Sequence, residues 1–201
     1  MTPRLIPFRV LAFALFLAAC ATPPPVETGP PFESVMVEAK GEANPYKADA
    51  VLTGLLERQT LTDDQRARAL YARGSLRRQD GDDRRGAVED FKAMLALAPA
   101  HPLGPNAREE LEFAETDVET IEAGLQRMLS LSQWFDSMWV LGAHDEAAAR
   151  YRKSGISPNP AQLADLAQAG FVCMGDETGD KVYTVGDRRD DLEDAYWCPA
   201  D

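Results

Sequence analysis

The stretch ALYARGSLRRQDGDDRRGAVEDFKAMLALAP, residues 69–99, decides the fold of this chain. A capping-box pattern at residues 62–65 (TDDQ) predicts a helix that starts there and ends at about Gln79. The acidic, glycine-containing segment after it predicts a turn. Pro99 ends a second helix, because proline lacks the N–H that a helix interior needs. That second helix carries apolar residues at helical spacing: Ala87, Val88, Phe91, Leu95 and Leu97.

Small and aromatic residues in this stretch have a characteristic spacing. Phe91 follows Ala87 by four residues and Pro99 follows Phe91 by eight, while Gly74 leaves room for a partner helix. The stretch resembles one tetratricopeptide repeat, with one extra residue between Gly74 and Ala87. The resemblance implies a helical solenoid whose concave groove binds peptides. The alternative is a helical hairpin that only imitates the motif.

Weaker signals indicate that the repeat has neighbours. Ala48, Leu52 and Leu56 reproduce the spacing of Ala87, Phe91 and Leu95 at an offset of 39 residues. Residues 106–109 begin another capped helix. We therefore expect residues 45–104 to form a short solenoid similar to tetratricopeptide repeats, with one full repeat flanked by half-repeats.

The resemblance also places a groove. In tetratricopeptide repeats, one face of the first helix lines the concave surface. Counting by threes and fours along the helix that contains Gly74 gives that face as Arg68, Tyr71, Ser75 and Arg78. Two arginines and a tyrosine predict a basic pocket for an acidic or C-terminal carboxylate segment of a partner. The alternative is that both arginines are solvated and balance nearby aspartates.

Residues 105–155 predict one long helix, from residue 106 to about residue 141, and a short helix after it. Apolar and small residues alternate spacings of three and four over four heptads. This stripe consists of Leu111, Ala114, Val118, Ile121, Leu125, Met128, Ser132, Phe135 and Trp139. It is either a coiled-coil seam to a second copy or partner, or a cap that packs on the repeat. Its small residues and the aromatic cluster at its end favour the cap.

The N-terminus has the features of a secretion signal. Arg4 and Arg9 precede the apolar run 10–17, which is too short to cross about 30 Å of hydrocarbon. The run ends in Leu-Ala-Ala-Cys at residues 17–20, which resembles the lipobox of bacterial lipoproteins. The resemblance implies removal of residues 1–19, lipidation of Cys20, and, since Ala21 is not acidic, an outer-membrane location facing the periplasm. The alternative is an ordinary signal peptide with a chance cysteine.

The two ends of the mature chain predict different structures. Residues 20–44 are rich in proline and predict a tether of about 70 Å at full extension. Residues 156–201 predict a helix opened by Asn159 and Pro160, and then two or three short strands. Cys173 and Cys198 are the pair that remains after Cys20, so an oxidising periplasm predicts a disulfide between them.

Composition and motifs argue against catalysis and nucleic-acid binding. The chain has 33 acidic and 21 basic residues, a net charge of −12 that becomes −14 once Arg4 and Arg9 leave with the signal. Such a charge repels nucleic acid. His101 and His144 are the two histidines, and neither a zinc-ligand spacing nor a nucleophile or phosphate motif is present. The acidic segments 176–180 and 187–194 lack EF-hand spacing. We expect no enzyme, metal or cofactor.

The sequence thus predicts a mainly α protein: a short helical solenoid, a long following helix, and a small disulfide-stapled β appendage. Its predicted function is that of a non-catalytic periplasmic adaptor or assembly factor, tethered to the outer membrane and bound to envelope proteins. The alternative is a structural subunit of a larger envelope complex (a secretion, pilus or wall-associated assembly), joined through the long helix as an oligomer or complex. A third hypothesis is that the chain is a degenerate or calcium-dependent hydrolase.

Overall fold

The computed structural model describes residues 29–58, 60–125, 127, 130–176, 179–182 and 195–198. Within these ranges it contains eight helices and three strands, which confirms the mainly α fold. The helices are α1 Phe32–Gly41, α2 Pro45–Leu56, α3 Asp63–Gln79, α4 Arg84–Leu97, α5 Gly104–Leu125, α6 Leu131–Val140, α7 His144–Ser154 and α8 Pro160–Gln168. The strands are β1 Val172–Asp176, β2 Gly179–Val182 and β3 Ala195–Trp197. Cys20 and Met128 lie outside the described residues, as do residues 187–194.

Helix α1 corrects the predicted tether. Phe32, Val35 and Ala39 are buried, and Phe32 and Val35 pack with Leu55 and Ala69 in one apolar cluster. The prediction was wrong for residues 32–41, because the prolines stop at residue 31 and apolar residues then recur at helical spacing. Residues 21–30 reach at most about 35 Å when fully extended. A lipid on Cys20 would therefore hold α1 closer to a membrane than the predicted 70 Å tether.

Helices α1 to α5 pack in sequence, each against the next. The closest approach joins α3 and α4, where Gly74 faces Phe91. A Cβ atom on Gly74 would lie 2.9 Å from Cε1 of Phe91. Phe91 and Ala87 are fully buried there, so the small and aromatic residues of the quoted stretch meet as a packed pair. The capping box at Thr62 and Gln65 is confirmed, since both of its reciprocal hydrogen bonds are present.

The predicted long helix is two helices. Helix α5 ends at Leu125, and α6 begins after Ser130, whose Oγ accepts a hydrogen bond from the Gln133 N–H at 3.2 Å. Ser130 has extended backbone dihedrals, φ −122° and ψ 151°, which a continuous helix does not contain. The single-helix prediction was wrong because the apolar spacing resumes after the break and so conceals it.

The stripe packs inside the chain. Leu111 packs against the cluster around Phe91. Val118, Ile121 and Leu125 lie on a second cluster that contains the buried residues Phe135 and Trp139. Met128 is the one predicted member outside the described residues. The described stripe therefore joins α5 and α6 to their neighbours rather than presenting a continuous seam.

The C-terminal region consists of α6 to α8 and a three-stranded antiparallel sheet in the order β2-β1-β3. Its core is aromatic: Phe135 stacks on Trp139 with ring centres 5.0 Å apart and meets Tyr151 edge-on at 4.9 Å. The predicted disulfide is confirmed, with Cα atoms of Cys173 and Cys198 separated by 5.0 Å. It joins the central strand to the end of β3.

The two regions meet at the start of α2 and at the α3–α4 turn. The Trp139 indole N–H donates to the Tyr46 hydroxyl at 2.9 Å, and the Asn44 amide donates to the Gln168 carbonyl at 3.2 Å. Gly142, at φ +85°, lies so close to Asp83 that a Cβ atom would be 1.9 Å from its Oδ1. The C-terminal region thus covers one edge of the helix stack. No helix in the described ranges combines the length and hydrophobicity needed to cross a membrane.

Candidate functional site

An apolar groove of about 610 Å³ lies between α1 and α3, and we call it the α1–α3 groove. Its floor includes the buried residues Ala39 and Leu52, and its rim includes Val37, whose side chain is 71% exposed. The lining residues are Met36, Val37, Ala39, Lys40, Glu42, Leu52, Ala72, Ser75, Leu76, Gln79 and Asp80. When another molecule covers an exposed valine and the apolar groove beside it, apolar surface is removed from water and the free energy of the system falls.

The sequence of α3 makes this groove concave. Ala72, Ser75, Leu76 and Gln79 are spaced by three and four residues, so they share one face of the helix. Ala72 and Ser75 have short side chains and leave space between the two helices. Met36 and Val37 of α1 form the opposite wall. The groove is therefore a product of small residues on α3 and of larger apolar residues on α1.

Arg68 is not part of a free basic pocket. Its guanidinium donates two hydrogen bonds to the Glu33 carboxylate, at 2.7 and 3.0 Å, and lies 4.9 Å from the centre of the Phe32 ring. The hydrogen bond from Arg68 lowers the pKa of Glu33, and the same bond raises the pKa of Arg68. Helix α1, which the sequence reading had assigned to the tether, supplies this partner.

The other predicted groove residues divide between two surroundings. Tyr71 packs on Phe91 with ring centres 5.9 Å apart. Arg78 is ion-paired with Glu110 of α5 and lies 5.9 Å from the ring centre of the exposed Phe113. Ser75 alone of the four lines the α1–α3 groove. Arg68, Tyr71 and Arg78 lie outside the lining of the α1–α3 groove, and both arginines hold carboxylates of their own chain.

A partly buried ionic network, centred on the buried Asp90, joins α2, α3 and α4. Arg73 donates to both oxygens of Asp90, at 2.9 and 2.6 Å, and to Thr53 at 2.9 Å. Arg77 binds Asp49 and reaches Asp90 at 3.3 Å. Burial raises the pKa of Asp90, although the hydrogen bond from Arg73 and the charges of both arginines oppose it. This network was not predicted from the sequence. The one feature that could have indicated it is the spacing of Arg73 and Arg77, which lie four residues apart and so share a face of α3.

The network and the histidines hold the fold together. A cavity of about 110 Å³ beside it is lined by Tyr46, Asp49, Arg77 and His144, among others. His144 bonds the Asp82 carbonyl at 2.9 Å through Nε2, and His101 bonds Asp64 at 3.1 Å. These contacts fix turns and helix ends, so we assign the network and both histidines a structural role.

A wider depression lies between α4 and α5, with a volume of about 950 Å³. Two ion pairs bridge it from helix to helix: Arg85 with Glu122 and Lys92 with Glu115, each at 2.7 Å. Its apolar lining residues, such as Val88 and Val118, are therefore flanked by charged pairs that a ligand would have to displace. The Arg68–Glu33 pair joins α1 to α3 but lies outside the lining of the α1–α3 groove, and no ion pair in the described part of the chain joins two of its lining residues. The α1–α3 groove is therefore the better candidate.

Comparison of the chain with protein-family models, with curated proteins and with solved structures found no significant match.

Proposed function

We propose that this chain is a non-catalytic adaptor or assembly factor that binds another protein of the cell envelope through the α1–α3 groove. The observation that carries the proposal is the groove itself: about 610 Å³, apolar at its floor, and bordered by a valine that is 71% exposed. Ligand-binding sites are typically concave and mostly apolar with a few polar groups. Ser75, Gln79 and Lys40 are the polar groups here.

The proposed solenoid rests on the arrangement of successive helix pairs. Helices α3 and α4 form the pair with the tetratricopeptide-like contact of Gly74 on Phe91. Helices α1 and α2 precede it, and the buried Ala48 and Leu52 of α2 occupy the positions that Ala87 and Phe91 occupy in α4. In this proposal α1 and α3 are the first helices of consecutive repeats. The groove between them is then the concave surface that such repeats use for peptides.

We further propose that the protein is attached to the periplasmic face of the outer membrane by lipid on Cys20. The Leu-Ala-Ala-Cys sequence at residues 17–20 supports lipidation. The disulfide of Cys173 and Cys198 supports an oxidising compartment, because such bonds are rare in the cytosol. With at most about 35 Å of chain before α1, the groove is presented to partners close to that membrane.

The alternative role, a structural subunit joined through the long helix, loses its main support. Phe135 and Trp139 are buried in the chain's own core, and Val118, Ile121 and Leu125 pack against them. A seam to a second copy would have to remove these side chains from that core. The adaptor proposal does not need such a change.

Photo-crosslinking in living cells tests the proposal. A photoreactive amino acid replaces Val37 or Ser75 in the full-length chain, and the matched control replaces Ile156, a residue 56% exposed that does not line the groove. We expect discrete adducts from the two groove positions and none of the same mass from position 156. Equal adducts from all three positions would place the binding surface elsewhere.

A further inference from the structure

The α1–α3 groove has a chemically distinct end. Its lining includes Glu42 and Asp80, the C-cap residues of α1 and α3, and no residue from the first turn of either helix. The carboxyl ends of both helices therefore meet at this end of the groove. Each helix terminus contributes a partial negative charge from carbonyl groups without helical partners. The two carboxylates add to that charge.

Few cations offset it. Lys40 is the basic residue in the groove lining. The last turn of α3 carries Arg77 and Arg78, but Arg77 binds Asp49 and Arg78 binds Glu110. One oxygen of Glu42 accepts the Asn44 N–H at 2.9 Å. Asp80 makes no ion pair with any residue of the described part of the chain. The groove is thus apolar along its floor and negative at one end.

Two occupants from the protein itself fit poorly. The Arg58 guanidinium donates to the Pro30 carbonyl at 2.6 Å, so the chain enters α1 beside the end of α2, at the opposite end of α1 from Glu42. The segment before α1 therefore starts away from the groove. A second copy brings the same net charge of −12 toward a negative site, and like charges oppose that association. The groove suits a partner of opposite charge.

We propose that the groove binds a segment of a partner protein in which a run of apolar side chains has a lysine or arginine at one end. The apolar side chains lie on Ala39, Leu52, Ala72 and Leu76, and the basic side chain reaches Glu42 and Asp80. This inference rests on the proposed function and adds the chemistry of the partner. Charge complementarity of this kind sets the register and orientation of a bound segment.

The test selects peptides without assuming a partner. The full-length chain in detergent micelles is the target for a random peptide library displayed on phage, and the Val37→Glu variant is the counter-selection target. Enriched peptides are synthesised, and their binding is measured by fluorescence anisotropy. One double variant, Glu42→Gln/Asp80→Ser, removes the negative end. A matched control, Glu57→Gln/Glu89→Gln, removes the same charge from exposed positions outside the groove.

The inference predicts peptides in which a run of apolar residues has a lysine or arginine at one end. Glu42→Gln/Asp80→Ser should weaken their binding by about fivefold or more at low salt, and the control by less than about twofold. Peptides that depend on Val37 but carry no basic residue, or ignore the loss of Glu42 and Asp80, would overturn this inference while supporting the proposed function. No enrichment, or binding that survives Val37→Glu, would overturn both.

Discussion

The helix stack of α1 to α5 and the C-terminal region of α6 to α8 with its sheet are stabilised in different ways. In the stack, small residues bring helices together, and a partly buried ionic network links α2, α3 and α4 through Asp49, Arg77, Arg73 and Asp90. In the C-terminal region, large aromatic rings fill the core and a disulfide closes the sheet. Close helix contacts and ion pairs stabilise the stack, whereas the burial of large aromatic side chains and a disulfide stabilise the C-terminal region.

This difference bears on where the proposed partner would bind. The C-terminal region packs its aromatic side chains on one another and on the edge of the stack, as in the contact of Trp139 with Tyr46. The stack packs each helix on the next but leaves the α1–α3 groove open, with Val37 exposed. Apolar surface that the fold does not cover is available for binding. The stack therefore carries the proposed function and the C-terminal region supports its edge.

Removing Asp90 should have the largest effect, because it breaks the network on which the stack depends. Asp90→Ala leaves Arg73 and Arg77 buried without their shared carboxylate and should lower the free energy of unfolding by about 3–5 kcal/mol. Urea denaturation measures the change. The matched control is Glu122→Ala, which breaks the exposed pair with Arg85 and should cost at most about 1 kcal/mol. Equal losses in the two variants would mean that the network is not a special feature of the stack.

Loss of the disulfide should be the next largest effect, and it should remain in the C-terminal region. Cys173→Ala/Cys198→Ala opens a loop with a sequence separation of 25 residues and should cost about 3 kcal/mol in the chain-entropy model. Hydrogen exchange resolves the location. We expect faster exchange in β1 and α8 and unchanged protection in α3. Faster exchange throughout α3 would show that the two regions are not separable.

Adding one methyl group to the stack should have opposite effects at two glycines. Gly74→Ala places a Cβ atom 2.9 Å from the Phe91 ring and should cost about 1–3 kcal/mol. Gly54→Ala, in the interior of α2, meets no atom within 4 Å and should stabilise the protein by about 0.5–1 kcal/mol. Thermal melts of the two variants, measured side by side, give the comparison. A neutral Gly74→Ala variant would remove the packing argument for the α3–α4 pair.

The pair of Arg68 with Glu33 should give the smallest effect, since Glu33 is exposed. Because the pKa of Glu33 is lowered in the folded state, the unfolded state binds more protons in the interval below the ordinary value of 4.5. The contribution of the pair is therefore present above that value and is lost as pH falls through the folded pKa. Denaturation midpoints from pH 3 to 6 should show a shallower slope for Glu33→Gln, and added salt should reduce the difference. Identical slopes would contradict a docked α1.

Local patterns in the sequence predicted local features well. The reciprocal bonds of Thr62 and Gln65 follow from residues three apart at a helix start, and the predicted cap at Asn159 is present, with an additional reciprocal bond from Gln162. The disulfide was predicted from the cysteine count and from the periplasmic location that the N-terminal sequence predicts. The contact of Gly74 with Phe91 followed from a motif whose spacing encodes packing. In each of these cases a few neighbouring residues determine the result.

Features that depend on distant partners could not be predicted in the same way. Helix α1 was hidden because its apolar residues begin directly after a proline-rich run, and it is stable only on Leu55 and Ala69. Whether Tyr71 or Ala72 lines the groove depends on the rotation of α3 against α1, because each residue turns a helix by about 100°. The partners of Arg68 and Arg78 lie on other helices, 35 and 32 residues away.

The affinity of the crosslinked partner for groove variants tests the central claim most directly. The partner captured at Val37 or Ser75 is purified and titrated against the full-length chain, Val37→Glu and the control Ile156→Glu. Both substitutions place a carboxylate at an exposed apolar position, so a general effect of charge appears in both. The account predicts at least about a tenfold weaker affinity for Val37→Glu and no change for Ile156→Glu. An unchanged affinity for Val37→Glu would contradict the assignment of the α1–α3 groove as the binding surface.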